Sequence, residues 1–413
     1  MVCEGRHRLG GGLAGRVGSV EQSRPPVVYL QGMSRAALNP RRRPDAHRVT
    51  GQATEFHRRL PGYGPTPLHS LPALAAELGI AALHVKDESD RLGLPAFKIL
   101  GASWAIYRLL CKRLGGEPPG WESTDELAEA FAALHPLTLD TATDGNHGRA
   151  VARAARWFGC DARIFVPEAT ARSRIDAIAG EGAAVEVVDG TYDDAVARAA
   201  GSAGEHAVVV SDTSWPGYTE VPGWVAEGYE TICAEVDAAL TASGLQLPTH
   251  VFVQVGVGAL AVAMVRHYAP GARVIGLEPD GAACCYESVV AGEPVVVPGP
   301  HTSIMSGMNC GTVSLIAWPE LRDGLAAVMT LDDNTARDAM RRLAVEGIVS
   351  GETGAAGVGA VMELLTNHLH REVREGLHLG AGSRVLALST EGATDPENFA
   401  RIVGRSAEAV TAG

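Results

Sequence analysis

Leu137-Thr138-Leu139-Asp140-Thr141-Ala142-Thr143-Asp144-Gly145-Asn146-His147-Gly148-Arg149 reads as a strand that runs into a helix through a turn of small and polar residues. Residues 137–141 predict the strand, and the apolar spacing over 147–158 predicts the helix. The same unit recurs on both sides. Strands are expected at 82–86, 162–166, 185–188, 207–211, 250–255, 273–278 and 384–389, and helices at 71–78, 99–113, 124–134, 171–180 and 193–203. Short β-branched runs that each lead into a helix are the sequence form of a parallel sheet covered on both faces. The prediction is an α/β protein of two interleaved open α/β lobes. Residues 49–100 and 210–413 would form a large lobe, residues 101–209 a small inserted one, and residues 1–48 a disordered basic extension.

In open α/β sheets ligands bind beyond the carboxyl ends of the strands. A second glycine turn lies at such an end, Val253-Gln254-Val255-Gly256-Val257-Gly258-Ala259-Leu260-Ala261. Gly256, Val257, Gly258 and Ala259 would let backbone N–H groups close on an anion, with the next helix offering its positive end. The spacing Gly256-x-Gly258-x-x-Ala261, followed by Glu278 at the end of the next strand, also matches a dinucleotide fingerprint. A nicotinamide-dependent oxidoreductase therefore stands as an alternative on this segment.

Of 35 cationic residues only Lys86, Lys98 and Lys112 are lysines, so a reactive amine has three candidates. Lys86 has acids beside it in Val85-Lys86-Asp87-Glu88 and reads as an ion-pair residue. Lys112 adjoins Arg113 and reads as solvated. Lys98, in Pro95-Ala96-Phe97-Lys98-Ile99-Leu100, has apolar neighbours and starts a helix. Burial there would lower its pKa and make it a nucleophile toward carbonyls, the alternative being a lysine that snorkels from a helix start.

The order of a lysine loop, a Gly-Asn-His-Gly turn and a glycine phosphate loop resembles the pyridoxal-phosphate enzymes of the tryptophan-synthase β-subunit fold (fold type II). Leu60-Pro61-Gly62-Tyr63-Gly64-Pro65-Thr66-Pro67-Leu68, Val85-Lys86-Asp87-Glu88-Ser89, Ala96-Phe97-Lys98 and Thr143-Asp144-Gly145-Asn146-His147-Gly148 narrow the resemblance to the diaminopropionate ammonia-lyase family. So do Asp212-Thr213-Ser214-Trp215-Pro216-Gly217-Tyr218, Ser350-Gly351-Glu352-Thr353-Gly354 and Ser389-Thr390-Glu391-Gly392-Ala393-Thr394-Asp395-Pro396. The resemblance begins near Phe56 and continues to the C-terminus.

The resemblance implies pyridoxal 5'-phosphate as cofactor, attached covalently to Lys98 beside Phe97. Asn146 would bond its phenolic oxygen, the 256–259 backbone would hold its phosphate, and Ser389 or Thr390 would face its pyridine nitrogen. Glu352, at a Gly-rich helix start, would contact the cofactor or an ion, or act only as a helix-dipole partner. Asp144 stands where racemases and dehydratases of the group carry a small hydroxyl or apolar residue. It would serve as a base on the cofactor face opposite Lys98, the bland alternative being a helix cap. Asp212 would receive the extra ammonium of a diamino acid. The implied reaction is α,β-elimination of ammonia from D- or L-2,3-diaminopropionate, giving pyruvate and two ammonia. A serine or threonine dehydratase and a non-catalytic pyridoxal-phosphate-binding protein are the rivals. A homodimer is also implied, as is a disulfide between Cys285 and Cys310, with which Cys284 would compete.

Net charge is −13, yet residues 1–60 hold eleven arginines against four acids, so the body is strongly acidic. That disfavours nucleic acid as a partner. The longest apolar run, 251–265, contains Gln254 and two glycines, which disfavours a membrane span. Seven cysteines without C-x-x-C spacing disfavour both a secreted disulfide scaffold and a cysteine zinc site. The expectation is a cytoplasmic enzyme with a small-molecule diamino acid substrate and no metal. His147 and His301 are expected to be structural.

Overall fold

The computed structural model describes residues 34–45, 50–143, 145–190 and 192–412. Strands in chain order are β1 (Ala36–Leu38), β2 (Leu68–Ser70), β3 (Ala82–Asp87), β4 (Thr138–Ala142), β5 (Asp161–Pro167) and β6 (Ala184–Val188). They continue with β7 (Ala207–Val209), β8 (His250–Gln254), β9 (Arg273–Pro279), β10 (Leu325–Leu331) and β11 (Arg384–Ser389). One sheet has the order β1-β10-β9-β8-β11-β3-β2, the other β6-β5-β4-β7. Among the described residues only the edge strand pairs β1–β10 and β2–β3 are antiparallel. β8 is buried along its whole length and β11 at all but its first residue, which is why both read as nearly continuous apolar runs. The small sheet falls between β3 and β8 in the chain, so the two α/β lobes interleave.

The short edge strand β2 is not among the expected strands, and three further features depart from expectation. Ala36–Leu38 is an edge strand on β10, and Arg35 forms an ion pair with Glu287 at 2.7 Å, so this part of the basic start belongs to the fold. Residues 1–33 and 46–49 of that segment lie outside the described residues. β10, Leu325-Ala-Ala-Val-Met-Thr-Leu331, was not expected; its alanines carry no strand preference, and pairing with β9 decides its conformation. The helix expected over 124–134 stops at Ala130, and Ala132–Leu134 is a 3-10 turn. Between them Phe131 is fully buried against Phe158 and Tyr107, so packing of one ring overrides helix continuation.

Two long helices, Lys98–Leu114 and Glu220–Ala242, cross closely. A Cβ on Gly228 would lie 2.5 Å from the Leu100 carbonyl oxygen, so only glycine permits the crossing. Ahead of the first helix sits a buried ion cluster. Glu235 accepts from Lys86 Nζ at 2.6 Å and from both terminal nitrogens of Arg91 at 2.7 Å. Glu88 takes Arg91 Nη2 at 2.6 Å and Nε at 2.8 Å, and Thr66 Oγ1 donates to Glu88 at 2.7 Å. Lys86 is thus the ion-pair lysine the sequence suggested, and exposed Lys112 pairs with exposed Glu220. The cluster fixes the 88–97 loop that delivers Lys98.

Candidate active site

Lys98 is the first residue of its helix, and Phe97 precedes it as the cap. Phe97 packs edge-on against Tyr229, ring centroids 4.7 Å apart, and its N–H donates to the Thr390 carbonyl at 3.3 Å. The Lys98 ammonium donates to Asp212 Oδ2 at 2.7 Å, with one-fifth of the lysine side chain and one-tenth of the aspartate's exposed. Asp212 follows β7 and so comes from the small sheet's carboxyl edge.

This pairing reverses the expected titration of Lys98. Burial does act to lower its pKa, but the Asp212 carboxylate, helped by Tyr229, outweighs it and holds the ammonium well above its ordinary value. Burial likewise acts to raise Asp212, but Lys98 and then His147 hold it well below the usual carboxylate range. An amine so held is protonated and not nucleophilic. To attack a carbonyl such an amine would first have to leave Asp212 and lose its proton, and the vacated carboxylate could then accept another ammonium.

Asn146 opens the Asn146–Trp157 helix at the end of β4. Thr143 Oγ1 caps that helix by accepting the N–H groups of Gly145 at 2.9 Å and Gly148 at 3.1 Å. Asp144 lies outside the described residues. Asn146 Nδ2 donates to Glu391 Oε2 at 2.6 Å. His147 Nε2 donates to the Val210 carbonyl at 2.9 Å and His301 Nε2 to the Val297 carbonyl at 3.1 Å.

The glycine turn lies between β8 and the ten-residue Ala259–Tyr268 helix, whose cap, Gly258, supplies no side-chain hydrogen bond. Gly258 has φ +107°, and a Cβ there would meet Ala317 and Leu321 at 2.9 Å; a Cβ on Gly256 would lie 2.9 Å from the Gly307 carbonyl. Val257 is tied down through its carbonyl, which accepts Ser314 N–H at 2.9 Å. Backbone N–H groups at an uncapped helix start, in a rigid turn without side chains in the way, suit a phosphate. Gln254 locks the turn to its neighbours by donating to the carbonyls of Thr353, Gly354 and Leu388 at 2.9–3.1 Å.

Ser389 ends β11 and Thr390 follows it, both buried. Ser389 Oγ donates to Ser350 Oγ at 2.8 Å, whereas the buried Thr390 hydroxyl has no hydrogen-bond partner. A buried hydroxyl left unpaired costs about 1–3 kcal/mol, so Thr390 is the group equipped to meet a ring nitrogen. An amine, an amide, an N–H turn and an orphaned hydroxyl together fit pyridoxal phosphate.

Glu352 stands at the start of the Glu352–Thr366 helix and accepts from Asn398 Nδ2. Glu278, the acid the nicotinamide reading needs, accepts the N–H groups of Cys285 and Tyr286 at 2.7 Å each. Burial pushes its pKa up to about 8. It is spent on the start of the Cys284–Ala291 helix, which removes that alternative. Cys285 and Cys310 are not bonded to each other in this structure. Glu391 was legible only as part of a motif, and nothing in the sequence marked Tyr229, whose partners come from across the helix crossing.

The family described as pyridoxal-phosphate dependent enzyme matches residues 59–391. The diaminopropionate ammonia-lyase of Salmonella typhimurium is 38% identical, over 87% of this chain and 93% of its own. The solved diaminopropionate ammonia-lyase of Escherichia coli in complex with D-serine superposes with a TM-score of 0.83 at 35% identity, covering 90% of this chain and 97% of that one. The same enzyme in complex with an aminoacrylate–PLP azomethine reaction intermediate gives a TM-score of 0.81 with the same coverage and identity.

Proposed function

The chain belongs to the diaminopropionate ammonia-lyase family of pyridoxal-phosphate dependent enzymes, and from that premise we propose that it eliminates ammonia from 2,3-diaminopropionate, giving pyruvate and two ammonia. The observation that carries this reading is the Lys98–Asp212 pair, a carboxylate already holding an ammonium at 2.7 Å. A diamino acid brings its own β-ammonium, for which Asp212 offers a charge-assisted hydrogen bond worth about 1.5–3 kcal/mol. Serine and threonine bring a neutral hydroxyl and leave that carboxylate poorly matched.

Pyridoxal phosphate would be held covalently by Lys98, through its phosphate by the 256–259 turn, through its phenolic oxygen by Asn146, and through its ring nitrogen by Thr390. When bound, it supplies an electron sink for negative charge at the substrate Cα. A hydroxyl at the ring nitrogen, unlike a carboxylate, does not enforce its protonation. Lys98, set free as the substrate's α-amine takes its covalent place and no longer paired with Asp212, would take the Cα proton on its face. Asp212 orients the β-ammonium, whose bond to Cβ breaks as the Cα electrons form the double bond. Released aminoacrylate takes up water to give pyruvate and the second ammonia. Asp144 is proposed as the base on the opposite face, so that both enantiomers are substrates. The enzyme is proposed to act as a homodimer in the cytoplasm.

Pyruvate and ammonia should be measured over D- and L-2,3-diaminopropionate, serine and threonine. Two ammonia per pyruvate from the diamino acid supports the proposal; turnover of serine or threonine alone would sink it in favour of a dehydratase. Asp144→Asn is expected to lower kcat/KM for the D-enantiomer by roughly 10²–10⁴-fold while largely sparing the L-form; equal losses would remove the two-face reading. Thr390→Val is expected to shift the visible absorption band and weaken cofactor binding more than Ser389→Ala does. The reverse order would return the ring nitrogen to Ser389.

A further inference from the structure

Glu391 is buried, 4% exposed, immediately after the residue proposed to meet the cofactor ring. Its side chain joins the starts of two helices. Oε2 accepts Asn146 Nδ2 from the small-sheet side at 2.6 Å, and Oε1 accepts the Thr353 N–H at the start of the Glu352–Thr366 helix at 3.1 Å. Its backbone is equally engaged. Glu391 forms a bridge with Ala96, its carbonyl accepts Gly351 N–H at 2.9 Å, and the neighbouring Gly392 N–H donates to Pro95 at 3.0 Å. One residue thus contacts the lysine loop, the asparagine turn and the helix that packs behind β11. Room for it is built in, since a Cβ on Gly354 would lie 2.5 Å from the Glu391 carbonyl oxygen.

The chemistry of the pair is asymmetric. An ionised carboxylate only accepts hydrogen bonds, while a carboxamide carries two N–H donors on nitrogen and an acceptor on oxygen. Facing a carboxylate, Asn146 must present its nitrogen, spending one N–H and keeping the second. With oxygen presented instead, that arrangement is lost. Burial and then Glu352 raise the Glu391 carboxyl above its ordinary pKa, with Arg174, Thr353 and Asn146 offsetting part of that rise; both of its oxygens act as acceptors, from Asn146 Nδ2 and the Thr353 N–H.

We infer that Glu391 is a positioning residue that fixes which way the Asn146 carboxamide faces, so that one N–H remains for the cofactor's phenolic oxygen. The inference rests on the reading of the site as a pyridoxal-phosphate site. Glu391→Gln is the informative variant because it matches the glutamate in size. Its oxygen still accepts Thr353 N–H, and its nitrogen bonds Asn146 only if that amide turns over. Stability is therefore kept while the orientation is lost.

The experiment titrates apoenzyme with pyridoxal phosphate, following the visible absorption band, and records the apoenzyme's thermal midpoint. Glu391→Gln is expected to raise the cofactor dissociation constant about tenfold, with the apo midpoint within a few degrees of wild type. In an Asn146→Ala background the same substitution is expected to change affinity by less than about twofold, because the residue acts through that amide. Unchanged affinity in Glu391→Gln, an apo midpoint that falls in step with affinity, or full additivity with Asn146→Ala would each overturn the inference. Wild-type apoenzyme that binds no pyridoxal phosphate would instead overturn the reading of the whole site, and this inference with it.

Discussion

Lys98→Ala is expected to reduce pyruvate formation from diaminopropionate by at least the roughly 10²–10⁴-fold that one positioned proton-transfer group supplies. The loss is compounded because the same side chain is proposed to hold the cofactor. Neither neighbouring lysine can substitute. Lys86 is locked between Thr66 and Glu235 in the buried cluster, and Lys112 is exposed beside Glu220. Lys98→Arg is expected to be as inactive as alanine, since a guanidinium keeps its charge at any working pH. Removing the ammonium also leaves Asp212 partly buried without the charge that holds its pKa down, so the carboxyl is expected to titrate at higher pH in Lys98→Ala. Single-turnover product analysis and infrared or NMR titration of Asp212 check both halves. Retention of more than a tenth of wild-type kcat would place the proton transfer elsewhere.

Glu235→Ala is expected to be the most destabilising single substitution outside the site. It strips the shared acceptor from Lys86 and Arg91, both essentially inaccessible to water, and leaves Glu88 to balance two cations. Breaking a buried ionic cluster by removing one member typically costs about 3–5 kcal/mol. Because the cluster anchors the 88–97 loop, cofactor affinity is expected to fall along with stability. The pH dependence has a definite sign. Burial acts to raise the Glu235 pKa, but Arg91 and Lys86 bring it down to about 2, below the ordinary value of about 4.3 for an unfolded glutamate. Its contribution is therefore present above about pH 4.3 and is lost as pH falls through 2. Urea unfolding between pH 7 and 2 should show the wild type losing stability in that window, and Glu235→Ala losing less. Parallel curves would mean that Glu235 is not the group responsible.

The elements that the sequence made legible are those whose signals are local. Apolar runs bounded by glycine or proline located β3, β4, β5, β8, β9 and β11 to within a residue or two, because pairing on both sides demands continuous burial. β10 escaped notice because an alanine-rich strand is decided by its neighbour rather than by its own side chains. The Gly256–Gly258 turn was equally readable, since a positive φ and a close backbone approach can be met only by glycine. The same turn supported a wrong alternative, and what separated the two was the destination of Glu278, a tertiary fact.

By itself the sequence determined the α/β class, the order of lysine loop, asparagine turn and glycine turn, and the short list of three lysines from which Lys98 is proposed as the reactive one. Each of these rests on residues adjacent in the chain, where steric preference and hydrophobic period act directly. Tertiary structure alone decided how those residues are paired. Asp212 reaches Lys98 across 114 positions and Glu391 reaches Asn146 across 245. The lysine is consequently charged rather than depressed, and Thr390 rather than Ser389 keeps an unclaimed hydroxyl. A buried group's protonation and hydrogen-bond capacity depend on which distant partner packing brings within 3 Å, and no local pattern encodes that partner.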